Sequence, residues 1–217
     1  RSPPLSAKPS AQTADGGQFK KHYQTYRLPG DGVLSVVYET TTDAPTPANV
    51  CQHSYFNLDG SADALGHDIM IAADHYLPTT ERQVPTGEIL AVEGTAFDLR
   101  EMTRLSRQTE GERVAYDHNF CLSNERMAKH SVALARSIDS GVTMEVLTTE
   151  PGVQLYTGAK LNIPVPGLEG RRYGAFAGFC LETQIWPDAA NHPGFPNAVL
   201  RPGEIRRQET DYVFMKS

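Results

Sequence analysis

The chain has 217 residues, with 20 Lys and Arg against 26 Asp and Glu, and a formal net charge of −6. This length suits one sizeable domain, and the acidic balance argues against a nucleic-acid partner, which usually requires a basic patch. A hydrophobic content of 39% is enough for a core. No apolar run approaches the ~18–20 residues that span a bilayer, so no membrane partner is expected.

The three cysteines, Cys51, Cys121 and Cys180, are too few for a disulfide framework, and no pair has C-x-x-C spacing. We interpret them as buried free thiols in a reducing compartment. The first eighteen residues are polar and lack the apolar run of a signal peptide. Together these features predict a cytoplasmic location.

The N-terminal residues 1–30 are expected to be a poorly ordered lead-in and loop, followed by one domain over residues 31–217. Ser, Pro, Ala and Gly dominate residues 1–18, and a strand is possible over residues 19–28. Residues 33–41 follow a Pro-Gly-Asp-Gly turn and are rich in β-branched and aromatic side chains, which predicts a strand.

The remaining pattern also predicts β-structure. Residues 131–138 and 142–149 flank Asp-Ser-Gly and read as a hairpin. Residues 153–157, 178–184 and 211–215 read as further short strands, and one short helix is predicted over residues 100–107. Asp98 would cap that helix, and its apolar residues Leu99, Met102 and Leu105 repeat every three positions. Short strands separated by Gly/Pro turns predict an all-β sandwich or barrel.

Glu182 is the strongest catalytic candidate, because Phe179, Leu181, Ile185 and Trp186 make its surroundings apolar. Desolvation there should raise its pKa towards the range useful to a general base. Trp186 is the only tryptophan; a pocket wall is one role for it, and core packing is the favoured one.

His53 lies in a polar cluster close to Tyr55 and Phe56, which suggests the wall of a site, with a structural histidine as the alternative. Cys51 and His53 would share a strand face and could bind a metal. No second close pair of ligands joins them in the sequence, so we predict no metal site.

Asp117 and Gln154 are the remaining polar candidates. Asp117 and Asn119 would point to one side of a strand, and a turn-forming role is the alternative for Asp117. Gln154 sits between apolar strand neighbours and offers donor and acceptor atoms to hydroxyl groups, with a solvated surface as its alternative. The Arg171-Arg172 doublet is a weak phosphate candidate and is more typical of a solvated loop.

Seven strings along the chain carry a family resemblance. They are H-S-Y-F-N-L (53–58), P-T-G-E (85–88), G-T-A-F-D (94–98), Y-D-H-N-F (116–120), T-E-P-G-V-Q (149–154), C-L-E-T-Q (180–184) and L-R-P-G-E (200–204). In this order and spacing they resemble the aldose 1-epimerase, or galactose mutarotase, family from about residue 33 onward.

The resemblance implies a β-supersandwich of two large antiparallel sheets, and an isomerase that interconverts the α and β anomers of galactose, glucose and related free aldoses without a cofactor. It implies that Glu182 is the general base and His53 the general acid. It places Asp117 on sugar hydroxyls and Gln154 along the same cleft. A carboxylate and an imidazole match the proton exchange of ring opening and closure near neutral pH.

The sequence departs from the family in two places. Gln52 stands where the family usually has Asn before the histidine. Nothing before residue 33 matches the family's N-terminal segment, which carries a sugar-contacting Arg and a second His. We therefore expect the chain to be the C-terminal portion of such an enzyme, lacking N-terminal strands.

Two other functions stay open on the sequence. One is a sugar-binding or regulatory module without turnover. The other is an epimerase for phosphorylated hexoses, which would need an arginine cluster at the cleft; only Arg171-Arg172 offers one. The presence of both Glu182 and His53 favours the enzyme. The preferred aldose and the oligomeric state are not predicted.

Overall fold

The structure, a computed structural model, describes residues 5–6, 10–13, 19–109 and 111–216, with side chains from residue 20 onward. Within these ranges the regular structure is eighteen strands and one 3-10 helix at Leu168–Gly170. The strands are β1 (Leu5–Ser6), β2 (Ser10–Thr13), β3 (Phe19–Gly30), β4 (Val33–Thr42), β5 (Thr46–Pro47), β6 (His67–Ile71), β7 (His75–Tyr76), β8 (Leu90–Ala91), β9 (Thr103–Arg104), β10 (Gln108–Thr109), β11 (Glu112–Arg113), β12 (Asp117–Cys121), β13 (His130–Ser137), β14 (Val142–Thr148), β15 (Gly152–Tyr156), β16 (Cys180–Gln184), β17 (Val199–Leu200) and β18 (Arg206–Lys216).

Two antiparallel sheets dominate the architecture. The long sheet has the order β1-β3-β4-β18-β14-β13-β6-β9, and β2 adds to β3. The smaller sheet has five strands in the order β16-β15-β12-β7-β8, and two strand pairs, β10-β11 and β17-β5, lie outside both sheets. The predicted all-β fold of antiparallel sheets is confirmed.

The core lies between the two sheets. Val36, Val146 and Tyr212 of the long sheet share one buried cluster with Phe120 and Leu155 of the five-stranded sheet. Alternate side chains of a strand point to opposite faces, so the residues between these apolar positions face away from the core. One face of the five-stranded sheet is thereby left for polar side chains.

The strands predicted from sequence are found at close to their expected positions. The predicted hairpin is β13 paired with β14, and Gly141 in its turn has φ of 71°. An L-residue tolerates that conformation poorly, which is why glycine is required there. The strand predicted over residues 33–41 is β4, at the centre of the long sheet beside β18.

The helix predicted over residues 100–107 is wrong. This segment contains a short strand followed by a turn: Thr103 and Arg104 form β9 at the edge of the long sheet, paired with β6, and Leu105 and Ser106 turn the chain. The Leu105 amide donates to the His67 carbonyl, and Leu105 is buried through that attachment. Asp98 bonds the Arg100 side chain instead of capping a helix. Backbone pairing with β6 thus outweighs a weak three-residue repeat.

The structure describes the last part of the predicted lead-in and loop at length. Residues 19–30 form β3, which pairs with β4 along most of its length and matches the strand considered possible over residues 19–28. The reason is that Tyr23, Thr25 and Tyr26 favour extended backbone and Tyr26 packs against the core. Residues 1–4, 7–9 and 14–18 lie outside the described residues. The single domain over residues 31–217 stays a prediction.

No helix in the described part of the chain is long and apolar enough to cross a membrane.

Candidate active site

The polar face of the five-stranded sheet carries three of the four predicted site residues. Glu182 on β16 lies opposite Gln154 on β15, and Gln154 lies opposite Asn119 on β12. The Gln154 side-chain amide donates to Asp117 Oδ1 at 2.9 Å. Strand register therefore brings together residues that the sequence separates widely, and it orients the amide of Gln154 towards the Asp117 carboxylate.

His53 reaches the same face from the segment between β5 and β6. Its Nε2 lies 3.5 Å from Glu182 Oε1, and its side chain is 51% exposed while that of Glu182 is 9% exposed. A half-exposed imidazole thus faces a nearly buried carboxylate. The two groups are close enough to share a proton-transfer site and differ in their access to water.

This segment is fixed to β16 at both ends. Before His53, the Asn49 side chain donates to the Ile185 carbonyl at 2.7 Å and accepts from the Ile185 amide at 2.9 Å. After His53, the Phe56 and Phe179 backbones exchange two hydrogen bonds of 2.8 and 3.0 Å. The segment consequently runs alongside β16, which carries Glu182.

Close approach at the second anchor requires glycine. A Cβ at Gly178 would lie 3.0 Å from the Phe56 carbonyl oxygen and 3.2 Å from Tyr55 Cβ. A larger residue would push the His53 segment away from β16.

Gln52, the departure from the family pattern, ties this segment to the long sheet. Its Oε1 accepts from Tyr26 Oη at 2.9 Å and from Tyr38 Oη at 3.1 Å, and its Nε2 donates to Ser54 Oγ at 2.6 Å. The longer amide is therefore accommodated by a tyrosine cluster on β3 and β4. Its role in the structure is to hold the backbone on which His53 sits.

Burial raises the pKa of Glu182, as expected from its apolar sequence context. The negative charge of Asp117 adds to the rise, whereas His53 and a hydrogen bond from Cys51 oppose it. Cys51 Sγ donates to Glu182 Oε2 at 3.4 Å. The raised pKa fits a base that must bind and release a proton near neutral pH.

An aromatic wall borders the acidic groups. The His53 ring stacks on Tyr55 with centroids 5.3 Å apart, and Tyr156 stands edge-on to both rings at 6.3 and 6.1 Å. Tyr156 lies two residues from Gln154 and so shares its face of β15. Rings of this kind commonly line ligand pockets beside a few polar groups.

Several site residues were not identified from the sequence. Each of these residues lies two positions from a predicted site residue. Tyr55 comes two positions after His53, Tyr156 two after Gln154, and Cys180 two before Glu182. Because alternate side chains of a strand share a face, this spacing could have identified them. Asn119 lies on the same face as Asp117, as its spacing predicts, and opposite Gln154. Its side chain fits because position 152 is glycine: a Cβ there would lie 2.7 Å from Asn119 Oδ1.

Trp186 packs in the core, as favoured from sequence. It is 2% exposed and clusters with Leu77, Cys121 and Phe195. Its indole Nε1 donates to the Pro151 carbonyl at 2.8 Å. Trp186 therefore packs against the start of β15, close to Gly152.

A groove of about 890 Å³ adjoins the site at Tyr55 and Gly178. Its lining includes Leu161, Leu168 and Tyr173 and is mostly apolar, and it contains none of the four predicted site residues. We place the site on the polar cluster, since proton transfer needs the groups found there.

Comparison with protein families matches the aldose 1-epimerase family over residues 16–213. The chain belongs to the aldose 1-epimerase family. It is 45% identical over 209 residues to the galactose mutarotases of Rattus norvegicus and Homo sapiens, covering 95% of this chain and 60% of each relative. It is 36% identical over 199 residues to the aldose 1-epimerase of Escherichia coli K12, covering 88% of this chain and 57% of that protein. The chain thus spans about three-fifths of the length of these relatives.

Solved structures support the same fold. The crystal structure of an aldose epimerase homologue from C. elegans has a TM-score of 0.84 at 24% identity, covering 97% of this chain and 69% of that chain. That of galactose 1-epimerase from Lactobacillus acidophilus NCFM has a TM-score of 0.75 at 25% identity, covering 97% and 66%. The predicted mutarotase-like fold is therefore confirmed.

Proposed function

We propose that the protein interconverts the α and β anomers of free aldoses such as galactose and glucose. The observation that carries this proposal is the contact between His53 and Glu182, 3.5 Å apart on a face that also presents Asp117 and Gln154. The names of its relatives supply the substrate class.

In this reaction Glu182 removes the proton of the anomeric hydroxyl while His53 delivers a proton to the ring oxygen. The C1–O5 bond breaks to give the open-chain aldehyde, rotation about C1–C2 presents its other face, and closure reverses both transfers. Each turnover therefore returns every proton to its starting group. No oxidation or group transfer occurs, which is why we assign the chemistry to acid–base side chains.

Asp117 and Gln154 bind the sugar hydroxyls in this proposal. A carboxylate accepts hydrogen bonds and an amide both donates and accepts, so the pair can fix the orientation of a polyol. Tyr55 and Tyr156 supply apolar surface for the C–H face of the ring. The cytoplasmic location expected from the three free cysteines also stays a prediction.

The phosphorylated-hexose alternative is less well supported. Arg171 lines the neighbouring groove, but its guanidinium donates to the Gly60 carbonyl at 2.5 Å and pairs with Glu169 at 3.3 Å. These partners already engage both terminal nitrogens of its guanidinium. A free sugar suits the uncharged and acidic groups around Glu182 better than a phosphate does.

The decisive experiment replaces each proton-transfer group. Glu182→Gln keeps the size of the side chain and removes the base, and His53→Asn removes the acid; each should lower kcat for anomer interconversion by at least ~10²-fold. Glu145→Gln, the same chemical change on β14 of the other sheet, is the matched control and should stay within about twofold of the unmodified protein. Polarimetry of α-glucose or α-galactose measures the rate.

The pH–rate profile gives a second readout. Activity should fall on the acid side as Glu182 becomes protonated. Because burial raises the pKa of Glu182, the acid limb should lie above the range of an ordinary glutamate. Sugar binding without turnover by the unmodified protein would favour the binding-module alternative, and a near-normal rate in Glu182→Gln would reject the assigned base.

A further inference from the structure

Two pairs of metal-ligand side chains meet at the proposed site. Cys51 and His53 form one pair on the segment after β5, and Cys180 and Glu182 form the second pair on β16. A His53 ring nitrogen, Cys180 Sγ and a Glu182 carboxylate oxygen all lie within 4.8 Å of one another. Cys51 Sγ lies 3.4 Å from Glu182 Oε2. The fold therefore supplies the second ligand pair that the sequence lacked.

This donor set selects a particular class of ion. Thiolate, imidazole and carboxylate are the ligands of Zn²⁺, with bonds of ~2.3 Å to sulfur and ~2.0–2.2 Å to nitrogen and oxygen. Donors around one such tetrahedral ion stand roughly 3.3–3.8 Å apart, so the cluster needs to contract by only about 1 Å. Mg²⁺ and Ca²⁺ prefer oxygen ligands and do not compete for sulfur.

The charges also balance. Cys180 is fully buried and Glu182 is 7% exposed, so an unpaired ion there would be costly. A thiolate and a carboxylate together carry two negative charges, which neutralise a divalent cation. His53 is the exposed member, and it gives the ion a route from solvent.

We propose that a thiophilic divalent cation of the Zn²⁺ class binds at the cluster of His53, Cys180 and Glu182 and inhibits the enzyme. The inference rests on the proposed function for its consequence and on the donor geometry for the binding itself. On binding, the Cys180 thiol loses its proton to solvent and sulfur bonds to the ion. The Glu182 carboxylate and the His53 nitrogen become ligands, so neither can exchange a proton with a sugar. Metal and sugar therefore compete.

The binding test uses Co²⁺ as a spectroscopic substitute for Zn²⁺ and requires no turnover. The unmodified protein should show thiolate-to-cobalt charge-transfer absorption that Zn²⁺ removes and excess galactose weakens. Cys180→Ser should lose this absorption, and His53→Asn should bind Co²⁺ at least tenfold more weakly. His53 is half-exposed, so its variant keeps the test valid if Cys180→Ser does not fold.

Cys121→Ser provides the matched control. Cys121 is a buried thiol of the same sheet that lies outside the cluster and packs beside Trp186. Its variant should bind Co²⁺ like the unmodified protein. The site would be overturned if the unmodified protein showed no charge-transfer absorption, or if Cys180→Ser and His53→Asn both bound Co²⁺ with the absorption and affinity of the unmodified protein.

The activity test then examines inhibition. Zn²⁺ should lower the mutarotation rate, a chelator should restore it, Mg²⁺ should have no effect, and rising sugar concentration should raise the Zn²⁺ needed for half inhibition. Full activity at a Zn²⁺ concentration that saturates the cobalt site would overturn the inhibitory role. If the cobalt pattern holds while no anomer interconversion is detected, the metal site stands and the proposed enzymatic function fails.

Discussion

Substituting Arg126 tests how much the stability of the fold depends on the ion pair between this residue and one buried carboxylate, that of Glu150. The Glu150 side chain is fully buried two residues before β15, and Arg126 contacts its Oε1 at 2.8 Å. Arg126 also donates to Thr149 Oγ1 at 3.2 Å. The Arg126 side chain is 32% exposed, so it joins the buried carboxylate to the surface.

Arg126→Met keeps much of the apolar stem and removes the charge. Breaking a buried ion pair from one side costs ~3–5 kcal/mol, since an uncompensated charge remains buried. An ordinary domain has only ~5–15 kcal/mol of stability in total. With a urea dependence of about 2 kcal/mol per M, the denaturation midpoint should fall by about 2 M.

The stability lost in Arg126→Met should depend on pH in a defined direction. Burial raises the pKa of Glu150, while Arg126 and the hydrogen bond from Thr149 lower it. A carboxyl whose pKa is higher in the folded state favours folding at low pH and opposes it as pH rises through the folded pKa. Without Arg126 that pKa rises further. The difference between variant and unmodified protein should therefore be largest above neutral pH and shrink on acidification.

Two further variants make the test specific. Arg207→Met removes a cation whose partner Glu39 is 44% exposed, so it should cost no more than ~1 kcal/mol. In a protein that already carries Glu150→Gln, Arg126→Met should lower the free energy of unfolding far less than it does in the unmodified protein. A loss below ~1 kcal/mol at pH 8, or an equal loss at all pH values, would refute the reasoning.

Two other substitutions test the scaffold of the site. Gly152→Ala places a Cβ 2.7 Å from Asn119 Oδ1, so it should cost ~1–3 kcal/mol in chemical denaturation, whereas Gly194→Ala, with open space around it, should be nearly neutral. Cys51→Ala removes a donor to Glu182 and should lower kcat/KM about tenfold, equivalent to ~1.4 kcal/mol, and move the acid limb of the pH–rate profile upward. Cys51→Ser keeps a donor and should stay within about threefold; equal behaviour of the two Cys51 variants would exclude this contact from catalysis.

The strands were predictable because their signals are local. β-branched and aromatic runs bounded by Gly and Pro identified β4, and Gly141 identified the hairpin of β13 and β14. Each signal depends on residues that are neighbours in the sequence. The prediction for the segment after Asp98 was wrong for the same reason. Its short strand, β9, is stabilised by pairing with β6, whose residues lie 34 and 36 positions earlier in the chain.

The site was predictable only in part. The family strings pointed to Glu182, His53, Asp117 and Gln154, and the structure places all four on or beside one face, while their catalytic and binding roles remain proposals. The contact between Cys51 and Glu182 joins residues 131 positions apart. No local pattern encodes it, since it depends on Asn49 and Phe56 attaching their segment to the two ends of β16. The proximity of the Cys51–His53 segment to Cys180 and Glu182, and the metal chemistry that it allows, therefore could not be predicted from the sequence.

Glu182 lies on strand β16, whereas His53 lies on a separate anchored segment. This difference explains how the site combines a nearly buried carboxylate with a half-exposed imidazole. β16 is the edge strand of the five-stranded sheet, paired with β15 on one side and flanked by the His53 segment on the other. Its residue Leu181 enters the core, and Thr183 bonds Thr210 of the long sheet at 2.6 Å. Glu182, between them, is consequently fixed and desolvated. His53 lies on an anchored segment outside the sheet, so its position is held while half of its surface meets solvent. A strand alone would bury both groups, and a free loop would not hold their 3.5 Å spacing; the anchored segment meets both requirements.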